Sequence, residues 1–158
     1  MSGVNRGKQF ELKFKEDWER TFGKYTIDRL YDSVSGYKAI SNISDFIGYK
    51  FPHLFYLECK SVNNNTFPFQ NLTQYDKLLP KVGLKGVRAG VVIWFKDHDK
   101  VWYVPISTIS KMKQDGKKSV NVLKSQNEGY NIIEIPSVKK RVFMDSDYSV
   151  LLTLEEGM

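Results

Sequence analysis

Histidine and cysteine are scarce: Cys59 is the only cysteine, and His53 and His98 are the only histidines, among 158 residues. A lone thiol excludes an intrachain disulfide and leaves a cysteine-based zinc site short of ligands, so a reducing, cytoplasmic setting fits. With so few histidines a His-rich metal centre has no ligands, and a Ser-His-Asp set would have to use one of the pair. His98 falls in a polar turn and His53 follows Pro52, so both are expected at the surface. No G-x-x-x-x-G-K-[ST] and no G-x-G-x-x-G occurs, which removes the P-loop and the dinucleotide fingerprint. The opening MSGVNRGKQFELKF has positive charge but no apolar h-region and does not read as a signal peptide. The longest apolar run, AGVVIWF at 89–95, is far short of the ~20 residues a membrane span needs.

What is present suits a packed globule. The chain is 41% hydrophobic and 14% aromatic, without repeats, low-complexity tracts or long linkers, so residues 1–158 read as one domain. A chain of this size buries roughly two thirds of the surface its unfolded form exposes. Lys and Arg number 24 against 18 Asp and Glu, a formal charge of +6. The sequence pI is near 9.3. That balance attracts polyanions, although charge alone does not separate this from plain solubility.

Phe10, Phe14, Trp18 and Phe22 recur every fourth residue and predict a helix over 6–22 that Gly23 ends. Glu11 lies beside this stripe, pointing either to a cleft or to solvent. YTIDRLY (25–31) alternates as a strand, and a Ser- and Gly-rich connection follows over 33–44. LFYLECKS (54–61) is the next strand. NLTQYDKLLPKV (71–82) reads as a helix that Pro80 ends or bends. AGVVIWF suits a central strand buried on both faces. DHDK (97–100) turns it into VWYVPI (101–106), Ser107 is placed to cap a short helix through Met112, and YNIIEI (130–135) gives a further strand. The sum is an α/β arrangement, one central mixed β-sheet flanked by helices on both faces.

Side chains alternate along a strand, so Leu54, Tyr56, Glu58 and Lys60 share one face and Phe55, Leu57 and Cys59 the other. The second set is apolar and is expected in the core. Glu58 and Lys60 then form either a cross-strand ion-pair face or part of a site. Asp45 precedes this strand by the length of a turn. With Gly48 it could be an Asx turn, or it could bring a second carboxylate to the strand end. Two carboxylates make a hard-oxygen site suited to Mg²⁺, and a neighbouring lysine can act on water and offset charge on a phosphoryl transition state.

Asp45 followed by a hydrophobic strand carrying Glu58-x-Lys60 resembles the PD-(D/E)xK nuclease superfamily. Further segments resemble the RecU-like Holliday junction resolvases of Gram-positive bacteria and their phages. NRGKQFE (5–11) is similar to the family's opening helix motif, SDFIGY (44–49) to its metal motif, and YLECKS (56–61) to its Glu-Ala-Lys strand. TFPFQNLTQYDKL (66–78) is similar to a segment leading into a helix that bears a Gln, here Gln74. AGVVIWFKDHDKVWYVP (89–105) matches a strand-turn-strand ending in Val-Pro. The resemblance spans residues 5–115. It implies a restriction-endonuclease-like core and a Mg²⁺-dependent endonuclease, with Mn²⁺ substituting, that nicks four-way junctions in pairs as a homodimer.

The resemblance further implies roles. Asp45 and Glu58 hold the metal with the backbone carbonyl of Cys59, Lys60 contacts water and the scissile phosphate, Glu11 completes the shell through water, and Gln74 orients the nucleophile or Lys60. Arg29 is placed to grip a phosphate near the cut, or to pair with Asp28 or Asp32. Lys8, Lys81, Lys85, GKK (116–118) and KKR (139–141) are candidate DNA-backbone contacts. Residues 30–44 are too few for the stalk insertion of the bacterial members. A nuclease of the same chemistry acting on linear or flapped DNA, and a non-catalytic DNA-binding module of the same fold, are the alternative readings.

Overall fold

The computed structural model describes residues 5–35 and 38–154, so the start of the signal-peptide reading and residues 36–37 of the predicted connection lie outside the described residues. Asn5 caps the first helix, α1 (Arg6–Phe22), by accepting the Lys8 backbone N–H at 3.0 Å. Such a cap stabilises a helix by about 1 kcal/mol. Gly23, at φ 106°, ends it in a conformation that glycine adopts without strain.

The strands are β1 (Ile27–Arg29), β2 (Phe46–Lys50), β3 (His53–Val62), β4 (Val87–Phe95), β5 (Lys100–Pro105) and β6 (Ile133–Ile135), and they form one six-stranded sheet in chain order. All neighbours are antiparallel except β3 and β4, which run parallel with Glu58 opposite Val91. That parallel pair requires a crossover, which carries the short helix α2 (Tyr75–Leu78). Helix α3 (Ile106–Gln114) continues directly from β5.

The period-two pattern of β3 divides the molecule into two cores. Phe55, Leu57 and Cys59 pack with Phe10, Phe14 and Trp18 of α1. On the opposite face Ile106, Ile109 and Met112 of α3 cover Val91 and Ile93, with Tyr56 packed against them. Strand β4 contributes Trp94 to the first core and Ile93 to the second, and so is buried on both faces as its continuous apolar run predicts. Phe14 and Trp94 are both fully within the first core.

Gly48 lies within β2 rather than in a turn, because its missing side chain makes room for Trp18: a Cβ there would meet the indole Cζ2 at 2.7 Å. Asp17, buried on α1, accepts from the Ser146 backbone N–H at 3.0 Å and pairs with Lys13 at 2.7 Å and Arg20 at 3.0 Å. This fastens α1 to a small hairpin formed by Ser137–Lys139 and Met144–Ser146.

Several predicted boundaries move. The helix expected over 71–82 shrinks to α2, followed by a 3₁₀ turn, Leu79–Lys81, that holds Pro80, whose missing N–H cannot continue an α-helical ladder. Ser107 does not cap α3: the helix begins one residue earlier, with extended Pro105 at its boundary. The predicted strand 25–31 keeps only its centre, and the connection over 33–44 contains a pair of short strands, Ser33–Ser35 and Lys38–Ile40. The turn after β4 is a 3₁₀ turn, Lys96–His98, with Asp99 in the left-handed region. His53 and His98 are half-buried, and His98 bonds Asn65 at 2.6 Å.

Candidate active site

Ladder pairing between β2 and β3 ends at Phe46 opposite Leu57. Cys59, two residues further on, therefore has no β2 backbone partner. Its N–H instead donates to Asp45 Oδ2 at 2.9 Å, so a side chain continues the ladder where the main chain leaves off. The N–H and C=O of a strand residue lie on the same edge, which opens the Cys59 carbonyl toward Asp45 as well. Asp45 is fixed from behind, its own carbonyl accepting the Leu30 N–H at 2.8 Å and the Arg29 guanidinium at 3.1 Å.

Glu58 points to the other face of β3, and its side chain is only 3% exposed. Its Oε1 is buried and meets no hydrogen-bond partner, while Oε2 lies 3.7 Å from Lys60 Nζ. Burial, and next the nearby Asp45 charge, push the Glu58 carboxyl up to about 7, against the opposing pull of Lys60 and the Asp45 backbone N–H. A buried oxygen without a partner costs about 1–3 kcal/mol, and a cation would relieve that cost. The described residues hold no group of three or more His, Cys, Asp or Glu side chains placed to bind a metal. The donors on hand are thus two carboxylates and a carbonyl, a set that fits an ion keeping several waters, as Mg²⁺ does.

Glu11 reaches this cluster from α1. Arg29 Nε pairs with Glu11 Oε2 at 3.0 Å, and its other arm lies 3.7 Å from Asp45 Oδ1. The expected alternative partners, Asp28 and Asp32, are not the ones it takes. The guanidinium is also flanked by two rings, Tyr31 at 5.2 Å and Phe46 at 5.6 Å, and NH1 donates to the Leu30 carbonyl. Burial first and Asp45 second raise the Glu11 carboxyl, opposed by Arg29. The Cys59 thiol, inside the α1-side core, is raised well above its ordinary range by burial.

The fold thus gathers Asp45, Glu58, Lys60, Glu11 and Arg29 with the Cys59 backbone, and Lys8 lines the same groove as Glu11 and Arg29. Gln74 stands apart, its amide donating to the Asn42 carbonyl at 3.3 Å and its oxygen accepting from Thr73. The Lys81 ammonium sits over the Tyr56 ring at 5.2 Å, on the Glu58 face of β3, and Lys85 is exposed in the loop before β4. Two of the basic clusters are partly neutralised, Lys117 by Glu128 at 2.6 Å and Lys139 by Asp99 at 2.6 Å. Sequence reasoning overlooked Tyr31 and Phe46 as the rings that position Arg29. The only signal was aromatic residues flanking Arg29 and Asp45 in the chain.

No helix among the described residues is long and apolar enough to cross a membrane. No curated protein matches the chain in sequence. Among solved structures the chain is similar to Archaeoglobus fulgidus Hjc, a Holliday junction resolvase from an archaeal hyperthermophile. The identity is 14% and the TM-score 0.46, over 65% of this chain and 77% of that one. The model of the family described as Recombination protein U matches residues 24–142, which include Arg29, Asp45, Glu58, Lys60 and Gln74 and leave out α1 with Glu11 and Lys8. With more than half of its length matched, and with the Asp45, Glu58 and Lys60 pattern assembled at one strand end, the chain belongs to the Recombination protein U (RecU) family.

Proposed function

We propose that the chain is a Mg²⁺-dependent, structure-selective endodeoxyribonuclease, a single cytoplasmic nuclease domain that resolves four-way DNA junctions by paired symmetric nicks as a homodimer. Family membership supports the resolvase reading. The observation that carries the site is the buried, partnerless Glu58 Oε1 beside Asp45 and Lys60.

Asp45 and Glu58, with the Cys59 carbonyl, would hold Mg²⁺ or Mn²⁺, which when bound supplies Lewis-acid stabilisation of phosphate charge and lowers the pKa of water. Asp45 is oriented for this by the Cys59 N–H. Lys60, its side chain 30% exposed, extends from the buried acid toward solvent, where it contacts the attacking water and the scissile phosphate. Glu11 acts through water at the rear of the site while it holds Arg29 in place. Gln74 takes part by exchanging the Asn42 carbonyl for the nucleophile or Lys60. Arg29, Lys8, Lys81 and Lys85 bind DNA phosphates, so affinity falls steeply with salt. A junction has near two-fold symmetry, and paired nicks need two sites related by a dyad, which is the argument for a homodimer.

The test is cleavage of a mobile four-way junction, a flap and a linear duplex with Mg²⁺, Ca²⁺ or no metal, for wild type and Asp45→Asn. Junction cleavage with Mg²⁺ alone, lost in the variant, is expected. Equal rates on flap or duplex would overturn the junction preference, and an active Asp45→Asn would overturn the site.

A further inference from the structure

We propose that the groove between α1 and the end of β1 is a pocket for one unpaired nucleotide, receiving a base unstacked at the branch point beside the phosphodiester to be cut. This rests on the reading of the site as one that cuts branched DNA, and it names the part of that substrate which the groove recognises.

The groove is a cavity of about 400 Å³. Two of its walls are large apolar side chains left in the open, Leu12 at 66% and Tyr31 at 77% exposure, and neither packs into either core. Phe46, buried, forms the floor. One face of the Tyr31 ring is covered by the Arg29 guanidinium, which leaves the opposite face for a ligand. Lys8 and Lys15 stand on the α1 rim, Lys15 sharing its charge with Glu19 at 3.6 Å. Arg29 and Glu11, paired at 3.0 Å, also line the groove, and Arg29 lies 3.7 Å from Asp45 Oδ1, so a single side chain separates the groove from the Asp45 carboxylate.

An open aromatic ring and an apolar side chain, with three cations around them and the one carboxylate, Glu11, held by Arg29, match a nucleotide, which offers a flat base and an anionic phosphate together. An intact duplex hides its base faces in the stack and shows the groove only phosphates, which gives Leu12 and Tyr31 nothing to contact. A base freed at a strand crossing can stack on an aromatic ring, a contact that tolerates any base because every base has a π-face. The pocket would therefore favour a branch point over a plain duplex without reading sequence.

The experiment uses the full chain in Ca²⁺, with a four-way junction carrying 2-aminopurine at its branch point and an intact duplex of equal length. Wild type is expected to prefer the junction and to change the 2-aminopurine fluorescence on binding. Leu12→Ala, exposed and expected to leave the melting temperature unchanged, should weaken junction binding and reduce the fluorescence change while duplex affinity stays the same. Tyr31→Ala, which also takes a ring from Arg29, should weaken junction binding about ten-fold more than duplex binding and remove the fluorescence change. Equal weakening on junction and duplex, or no weakening, overturns the pocket. A change in the sedimentation of either variant without DNA also overturns it, since the groove would then be a contact between copies of the chain. A wild type with no preference for the junction is a different failure, visible before any substitution, and sinks the reading beneath the proposal together with it.

Discussion

The Asp45 carboxylate accepts the backbone N–H of Cys59 at 2.9 Å, across 14 residues of chain. That one bond sets the carboxylate at the point where β2 stops pairing with β3, next to the strand that carries Glu58 and Lys60. Replacement of Asp45 by Asn keeps the shape and loses the charge, and replacement of Glu58 by Ala removes the buried acid. Either change is expected to lower Mg²⁺-dependent junction nicking by on the order of 10²–10³-fold while the protein stays folded. Single-turnover cleavage together with far-UV circular dichroism checks this, and a folded Glu58→Ala that nicks at the wild-type rate would remove Glu58 from the site.

Glu58 also makes stability depend on pH in the metal-free protein. Its folded carboxyl is raised from 4.5 to about 7, so the folded state binds this proton more tightly than the unfolded state does. The stabilisation is fully present below pH 4.5 and is lost as pH rises through about 7. Urea melts in a chelating buffer should show this decline, Glu58→Gln should flatten it, and added Mg²⁺ should restore stability at the upper end. A wild type whose stability rises through this window on account of Glu58 would contradict the burial argument.

Arg29 compensates two acids at once. Arg29→Ala leaves Glu11 and Asp45 near each other without a cation and is expected to cost about 1–2 kcal/mol, moderated by the partial exposure of the pair. Adding Glu11→Gln should recover part of that loss, a non-additivity that a double-mutant cycle in denaturant measures. Strict additivity would mean that the 3.0 Å ion pair contributes nothing.

Gly48→Ala drives a methyl group into Trp18, fully buried in the α1-side core. The expected loss is about 1–3 kcal/mol, with a lower thermal midpoint. Trp18→Phe in the same chain should relieve the clash. If Gly48→Ala alone melts like wild type, β2 and α1 are not packed as closely as described.

Much of this was legible in the sequence because period and inventory act locally. The four-residue aromatic stripe gave α1, the alternation of LFYLECKS gave the two faces of β3, and the run AGVVIWF gave a strand covered on both sides. Spacing left Asp45 either a turn residue or a second carboxylate for Glu58 and Lys60, and the family resemblance is what joined the three. What could not be read depended on distant partners. Gly48 looked like a turn residue because nothing nearby announces Trp18, 30 residues earlier in the chain. Arg29 chose Glu11 and Asp45 over its sequence neighbours because α1 and β2 converge on it. The helix expected over 71–82 lost its end to Pro80, an effect whose direction was evident, and also lost its start, so that Gln74 stands at its N-cap rather than within it.

Arg29 has a consequence for how the site is occupied. Its guanidinium, bonded to Glu11 and close to Asp45, is a counterion tethered to the chain. Part of the acidic cluster is therefore neutralised without any ion from solution, and the fold need not wait for a metal to assemble. On the proposed reading a divalent ion would have to displace or share what Arg29 already offers, which would weaken its hold and ease its exchange. Glu58 has no such substitute for its buried oxygen, and of the two carboxylates it has the more to gain from a cation.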